Sequence, residues 1–255
     1  MKKVQARYKE RNQLFFTGDN GENIKVGVFS NCPILAANAD PFLMHGVFED
    51  FTYHTGYQSS TALGGWTYSN SSSGAIGIQD LAGGVLMIDS GGVTAGHGCQ
   101  LQRIGENVVV ASDKDLWFET RLKVTGVSKL QFFAGFAETQ TDLLDAGDLN
   151  SSKHLLGFCI ETGSSAALSL YESQGATELS DAVGALVSDT YIKLGLKIDE
   201  DLNVACYVDD TEVTLTNVTT LGLPTAAMTP TFICQTDGTE QPKMYVDYFR
   251  YVQRR

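Results

Sequence analysis

The chain has 255 residues, 43% of them hydrophobic, and a formal net charge of −12. That length and apolar content suffice for a sizeable core in a single domain. The acidic balance excludes a body that binds nucleic acid through its charge, and no apolar stretch is long enough to span a membrane. Glycine is abundant, at 26 residues, and proline scarce, at 5. Such a composition suits many short strands joined by Gly-, Ser- and Asp-rich turns.

Charge is unevenly spread. Residues 1–11 carry Lys2, Lys3, Arg7, Lys9 and Arg11 against Glu10, a sum of +4. Arg250, Arg254 and Arg255 add +3 at the tail, which leaves −19 for the rest. A basic arm and tail on an acidic body could dock on an acidic protein surface or on another copy of the chain. The plainer alternative is that both ends are merely solvated.

Residues 1–23 read as an arm with one apolar anchor, Leu14-Phe15-Phe16. No long apolar run follows its charged start, so a secretory leader is not expected. Residues 24–30 alternate as a strand, and 31–44, with Pro33 and Pro41, read as a connector. The expected organisation is therefore an arm and connector over residues 1–45 and a compact unit over 46–255. Residues 54–73 read as a Ser- and Gly-rich loop containing Trp66.

Short strands are expected next at Ala75–Gln79, Gly84–Asp89 and Asn107–Ala111. Leu116–Thr125 and Leu130–Ala137 alternate strictly, as half-buried strands do. Residues 138–153 form a long polar loop with Asp142, Asp145 and Asp148. Leu155–Glu161 and Ala167–Glu172 make a hairpin, and 173–188 read as a connector with one helical turn near Asp181–Leu186. The clearest pattern is residues 190–208. Ile192, Leu194, Leu196 and Ile198 alternate with polar residues and glycine, and after Asp199-Glu200-Asp201 the alternation resumes at Leu202, Val204, Cys206 and Val208. Two such runs around a polar turn predict an antiparallel hairpin with one buried face. Strands at Glu212–Leu215, Thr231–Gln235 and Met244–Val252 complete the chain. Simple alternation in the last puts apolar residues on both faces, which calls for a cover on both, either the arm or a neighbouring subunit. The sum is an all-β, two-sheet antiparallel sandwich.

Motifs for chemistry are sparse. The five cysteines are odd in number and lack a CxxC, so they read as reduced in a protein assembled in the cytosol. The four histidines show no zinc-ligand spacing. The Gly91–Gly98 loop lacks the Lys-Ser/Thr of a phosphate-binding loop. Asp142, Asp145 and Asp148 could give oxygens to Ca²⁺, but their spacing is not that of an EF-hand, and a solvated acidic loop explains them as well. Asp199/Asp201 and Asp209-Asp210 read as turn residues. Tyr57, Trp66 and Tyr68, in or beside the Ser-rich loop, could stack on sugar rings; the alternative places Trp66 as a cap on the core. A glycosidase needs paired carboxylates on one strand face, and Glu119 and Glu161 each stand alone, so no enzyme is expected.

The order of several pieces is familiar: Phe48 and Phe51, Trp66, Gly83–Asp89, Leu116–Leu122, Phe133–Phe136 and Val246–Tyr251. It resembles the concanavalin A-like lectin/glucanase jelly roll, in the laminin-G-like form common in tailed-bacteriophage virion proteins. The resemblance covers roughly residues 46–255. It implies two large sheets packed face to face behind an extended N-terminal arm. It further implies a decoration (cement) protein on the virion's capsid surface, assembled in the host cytoplasm and, as such proteins commonly are, homotrimeric. The basic arm and its anchor, Lys2, Lys3, Arg7, Lys9, Arg11, Leu14, Phe15 and Phe16, would then fasten it to the major capsid protein or to a sister subunit. The alternative it carries is a glycan-binding virion module.

Overall fold

A computed structural model of the chain describes residues 44–51, 65–71, 74–79, 84–141, 143, 152–161, 166–175, 177–218, 220 and 222–255, with the backbone alone for 5–9, 13–17, 23–24, 144–145 and 148–149. β1 (Gln5–Lys9), β2 (Gln13–Thr17) and β3 (Asn23–Ile24) pair as a small antiparallel sheet of their own. The other residues of the expected arm and connector lie outside the described residues up to Met44. There β4 (Met44–Glu49) opens the sandwich.

The strands that follow are β5 (Trp66–Ser71), β6 (Ala75–Gln79), β7 (Val85–Asp89), β8 (Gly98–Arg103), β9 (Leu116–Thr125) and β10 (Leu130–Ala137). Two short ones, β11 (Leu144–Asp145) and β12 (Asp148–Leu149), pair with each other. Then come β13 (His154–Ile160), β14 (Ala167–Gln174), β15 (Thr177–Ala185), β16 (Ile192–Ile198), β17 (Val204–Val208), β18 (Thr211–Val213), β19 (Thr229–Thr236) and β20 (Lys243–Arg254). One sheet has seven strands, in the order β15-β14-β13-β10-β19-β8-β5. The other has eight, in the order β18-β17-β16-β9-β20-β7-β6, with β4 also paired to β20. Every strand pairing within the two sheets is antiparallel.

The two inward faces share one core. Leu194, Leu196 and Ile198 of β16 are fully buried, as their alternation requires, and β16 pairs with β17 as the predicted hairpin. Phe118, Leu122 and Val124 of β9 face Phe132, Ala134 and Phe136 of β10 across the interior. Rings lock the layers together: Phe118 and Phe136 meet edge-to-face at 5.2 Å, and Phe136 and Tyr251 at 5.6 Å. Trp66 is 1% exposed, with its ring 5.4 Å from Phe249 and 6.2 Å from Phe232. Edge-to-face pairs of this kind add to the area term that drives burial.

The register of β20 departs from simple alternation. Its pairing with β9 shifts between Val246 and Tyr248, so Asp247 is an extra, bulged residue. A bulge of one residue reverses the side-chain phase beyond it. Met244, Val246, Phe249 and Tyr251 therefore all point into the core and are fully buried. The two-sided apolar strand expected from the sequence shrinks, once the bulge is counted, to a strand apolar inward with a small covered patch outward. Only a small cluster remains on the outer side, where Val252 packs with Trp117 and Met44.

Three other readings change. Residues 177–185 are the edge strand β15, paired along β14, in place of a connector with a helical turn. Asp181, the helix-like signal there, is 6% exposed and accepts hydrogen bonds from the backbone amides of Thr216, Asn217 and Val218 at 2.7 to 2.8 Å. Trp66–Ser71 is a strand inside the expected loop, because Trp66 and Tyr68 alternate inward against β8. Asn107–Ala111 contributes only a bridge, Val108 to Met228, because the Gln253 side chain takes both the amide and the carbonyl of Val109.

Two predictions follow from these contacts. Deleting Asp247 rephases Phe249 and Tyr251 onto the outer face, so it should abolish cooperative thermal unfolding, whereas Asp247→Ala, which keeps the extra residue, should leave a folded protein. Burial pushes the Asp181 carboxyl up, but the hydrogen bonds from Thr216, Val218 and Asn217 outweigh it and hold the group at about 2, below its ordinary 3.8. A depressed carboxyl stabilises the fold above its unfolded pKa and loses that contribution as pH falls through the folded one. Asp181→Ala should thus cost about 3 kcal/mol in urea denaturation at neutral pH, and the gap from the parent should close as pH falls from 3.8 toward about 2.

Candidate functional site

The outer faces of the two sheets differ. That of the seven-stranded sheet is covered in part by the chain's own residues 138–141 and Leu143. Gln100 and Gln102 project outward from β8 and clamp it. The Gln102 amide donates to the Glu138 carbonyl at 2.9 Å and its oxygen accepts from Gln140 N at 2.9 Å. The Gln100 amide donates to the Gln140 carbonyl, and its oxygen accepts from Leu143 N at 3.1 Å. Leu143 then sits fully buried among Phe133, Ala137, Leu155, Cys159, Tyr171 and Ile233. The first part of the expected solvated loop is therefore structural cover.

The outer face of the eight-stranded sheet carries half-exposed flat groups beside the buried cluster of Trp117, Val252 and Met44. Trp117, Glu119, Arg121 and Lys123 alternate outward along β9. Arg121 lies opposite Lys193 of β16 on one side and Tyr248 of β20 on the other. Its guanidinium stacks over the Tyr191 ring, 4.0 Å from the centroid, and pairs with Asp247, the bulged residue. Lys123 reaches both Tyr191 and Tyr245, at 5.4 and 5.2 Å from the ring centroids. A guanidinium held over an aromatic face is favourable.

Glu119 lies beneath this row, 2% exposed. Its Oε1 accepts from the Tyr248 hydroxyl at 2.8 Å and from Arg250 Nη2 at 2.9 Å. Burial and the Glu119 charge push the Tyr248 phenol up, so it remains a donor. A buried carboxylate needs such partners, and here they fix the tilt of the Tyr248 ring. The Phe48 ring on β4, 64% exposed, follows 6.2 Å from Tyr248.

Arg121, Tyr191, Ile192, Lys193, Asp209, Asp210 and Tyr248 enclose an open cleft of about 280 Å³. One wall is the tight turn from β17 to β18. Asp209 and Asp210 both adopt left-handed backbone, φ 47° and 65°, as a two-residue hairpin turn demands. Asp209 accepts a hydrogen bond from Lys193 N at 2.9 Å, and Asp210 pairs with the Lys193 ammonium. The cleft thus offers ring faces, hydroxyl and carboxylate acceptors and cationic donors. Its two cations balance the two turn carboxylates.

The residues singled out from the sequence fall elsewhere. Trp66 is sealed in the core against Phe232 and Phe249, as its alternative reading as a core cap expects, so its ring is not available to a sugar and the stacking reading is corrected. Tyr68 is half-buried, with its hydroxyl donating to the Gly74 carbonyl. Tyr57 lies outside the described residues, as do Asp142 and the side chains of Asp145, Asp148, Arg7, Lys9, Leu14, Phe15 and Phe16; Lys2, Lys3 and Arg11 do too. Cys99, Cys159, Cys206 and Cys234 are free and buried. Asp209-Asp210 do form a turn, and they line the cleft as well. Tyr191 and Tyr248 went unnoticed as site residues. The available signal was the outward phase of Arg121 and Lys123, which leaves aromatics beside cations on a half-exposed face.

Neither a protein-family model nor a curated protein sequence matches the chain. Its architecture is nevertheless shared with solved structures. A protein of unknown function from Shewanella oneidensis MR-1 is 14% identical, with 88% of this chain and 93% of that one covered and a TM-score of 0.58. Peanut lectin, solved with a nine-residue peptide, is 12% identical over 82% of this chain and 97% of its own, with a TM-score of 0.54. An endo-1,3-β-glucanase from Streptomyces sioyaensis is 15% identical over 85% and 98%, with a TM-score of 0.53. The chain has the concanavalin A-like jelly-roll fold of lectins and glucanases.

Proposed function

We propose that this protein is a non-catalytic carbohydrate-binding module and that the Tyr191–Arg121–Tyr248 cleft receives the sugar. The observation that carries this reading is the cleft itself: two tyrosine rings and a guanidinium, edged by Lys193, Asp209 and Asp210, on a half-exposed part of the sheet face. Pyranose rings present a flat C–H face and a rim of hydroxyls. Aromatic planes match the first, and mixed donors and acceptors match the second. The balance of charge among the lining side chains suits a neutral ligand better than a polyanion. Hydrolysis would need a carboxylic acid and a carboxylate poised on either side of a glycosidic bond. Here Glu119, Asp209 and Asp210 each already hold a cation, a phenol or a backbone amide.

A second reading rests on charge. The +4 arm, Lys2 to Arg11, against the acidic remainder could fasten the protein to an acidic shell, as a capsid decoration protein would be fastened. Repeated weak contacts would then gain from avidity. Deleting residues 1–23 should strip the protein from such a shell while leaving sugar binding intact; unchanged occupancy would end this reading.

For the first reading, Tyr191→Ala and Arg121→Ala should each weaken binding to a responsive glycan about tenfold with little change in thermal unfolding, as measured on a glycan array and by titration. An array without a response would remove the carbohydrate reading, and release of reducing ends from any polysaccharide would remove the claim that the module is non-catalytic.

A further inference from the structure

The row of flat groups does not stop at the cleft. Tyr191 adjoins β16, Arg121 is on β9, Tyr248 on β20 and Phe48 on β4, and these four strands are consecutive neighbours in the sheet. Arg121 and Tyr248 are direct register partners, the Arg121 guanidinium lies over one face of the Tyr191 ring, 4.0 Å from its centroid, and the Phe48 and Tyr248 centroids are 6.2 Å apart with their planes at 39°. Three strand gaps of about 4.8 Å each make a strip that runs across the strands.

From this alignment we infer that the ligand is a linear oligosaccharide of several linked sugars laid across β16, β9, β20 and β4, with Phe48 as the outermost platform; the inference rests on the carbohydrate reading of the cleft. A single exposed phenylalanine carries no weight, since isolated apolar residues are ordinary on surfaces. Phe48 differs because its ring extends a continuous row. The Arg121 side chain remains 41% exposed, which leaves part of it within reach of a ligand. Asp247, paired with Arg121, and the Lys123–Asp189 ion pair at 2.6 Å provide polar groups beside the row where hydroxyls of a longer chain would lie. A chain of this kind gains one stacking contact per platform, so affinity should climb with its length until the row is filled, in the manner of sequential stacking on aromatic platforms.

The test is calorimetric titration of the full chain with laminari-, cello-, manno- and chito-oligosaccharides, from the single sugar up to the hexamer. In a responsive series, binding should tighten about tenfold or more between monomer and tetramer, and Phe48→Ala should erase most of that gain. Because Phe48 is exposed, the substitution leaves the core intact. Val93→Ala, another exposed apolar side chain away from the strip, should leave the whole series unaltered. A flat series in which Tyr191→Ala still abolishes binding would overturn the extended strip and leave the cleft standing. A length dependence that survives Phe48→Ala would also overturn the strip. Silence from every series would overturn the strip and the carbohydrate reading together.

Discussion

One residue too many in β20 sets the phase on which both sides of the sandwich depend. Without the bulge at Asp247, Met244 and Val246 would share a face with Tyr248 and Arg250. With it, they share the interior with Phe249 and Tyr251. Phe249 is the ring against which Trp66, Phe232 and Phe51 all pack. The same half-turn sends Tyr248 and Arg250 outward, where Glu119 receives both. The bulged residue is also the partner of Arg121. Core packing and the open cleft are thus two consequences of one insertion, in line with the way bulges re-aim side chains.

The two outer faces are handled by different means. The seven-stranded sheet presents apolar Phe133, Leu155, Cys159 and Ile233 outward, and a face like that must be covered. The chain covers it with Leu143 and binds the segment's backbone to two buried glutamines, since buried amides and carbonyls need partners. The eight-stranded sheet instead carries alternating cations, acids and tyrosines outward, which water tolerates. That leaves Arg121, Tyr191, Tyr248 and Phe48 at least half-exposed beside the buried Trp117 cluster, in order across the strands.

Much of the fold was legible because side chains repeat every two residues in a strand. β6, β9, β10 and the β16–β17 hairpin were read almost to the residue from that repeat alone. β15 was not, since six of its nine residues are exposed and its buried Asp181 looks like a turn or helix residue until the amides of 216–218 are seen around it. β8 alternates cysteine and leucine with glutamine, and its glutamines make sense only with Glu138, Gln140 and Leu143 laid over them. The candidate site was less legible than the fold. Trp66 drew attention as the conspicuous aromatic, yet size favours burial, and the half-exposed tyrosines beside cations were the informative ones.

The sequence alone determined an all-β sandwich, the identity of most of its strands and the acidic body with its basic arm, because periodicity and charge are local and additive along a chain. Tertiary structure alone decided the phase of the last strand, the sealing of Trp66, the partial covering of one sheet face and the assembly of Tyr191, Arg121, Tyr248 and Phe48 into a row. Each of these depends on which residue stands opposite which across a strand gap. Register is set by pairing between segments far apart in the chain.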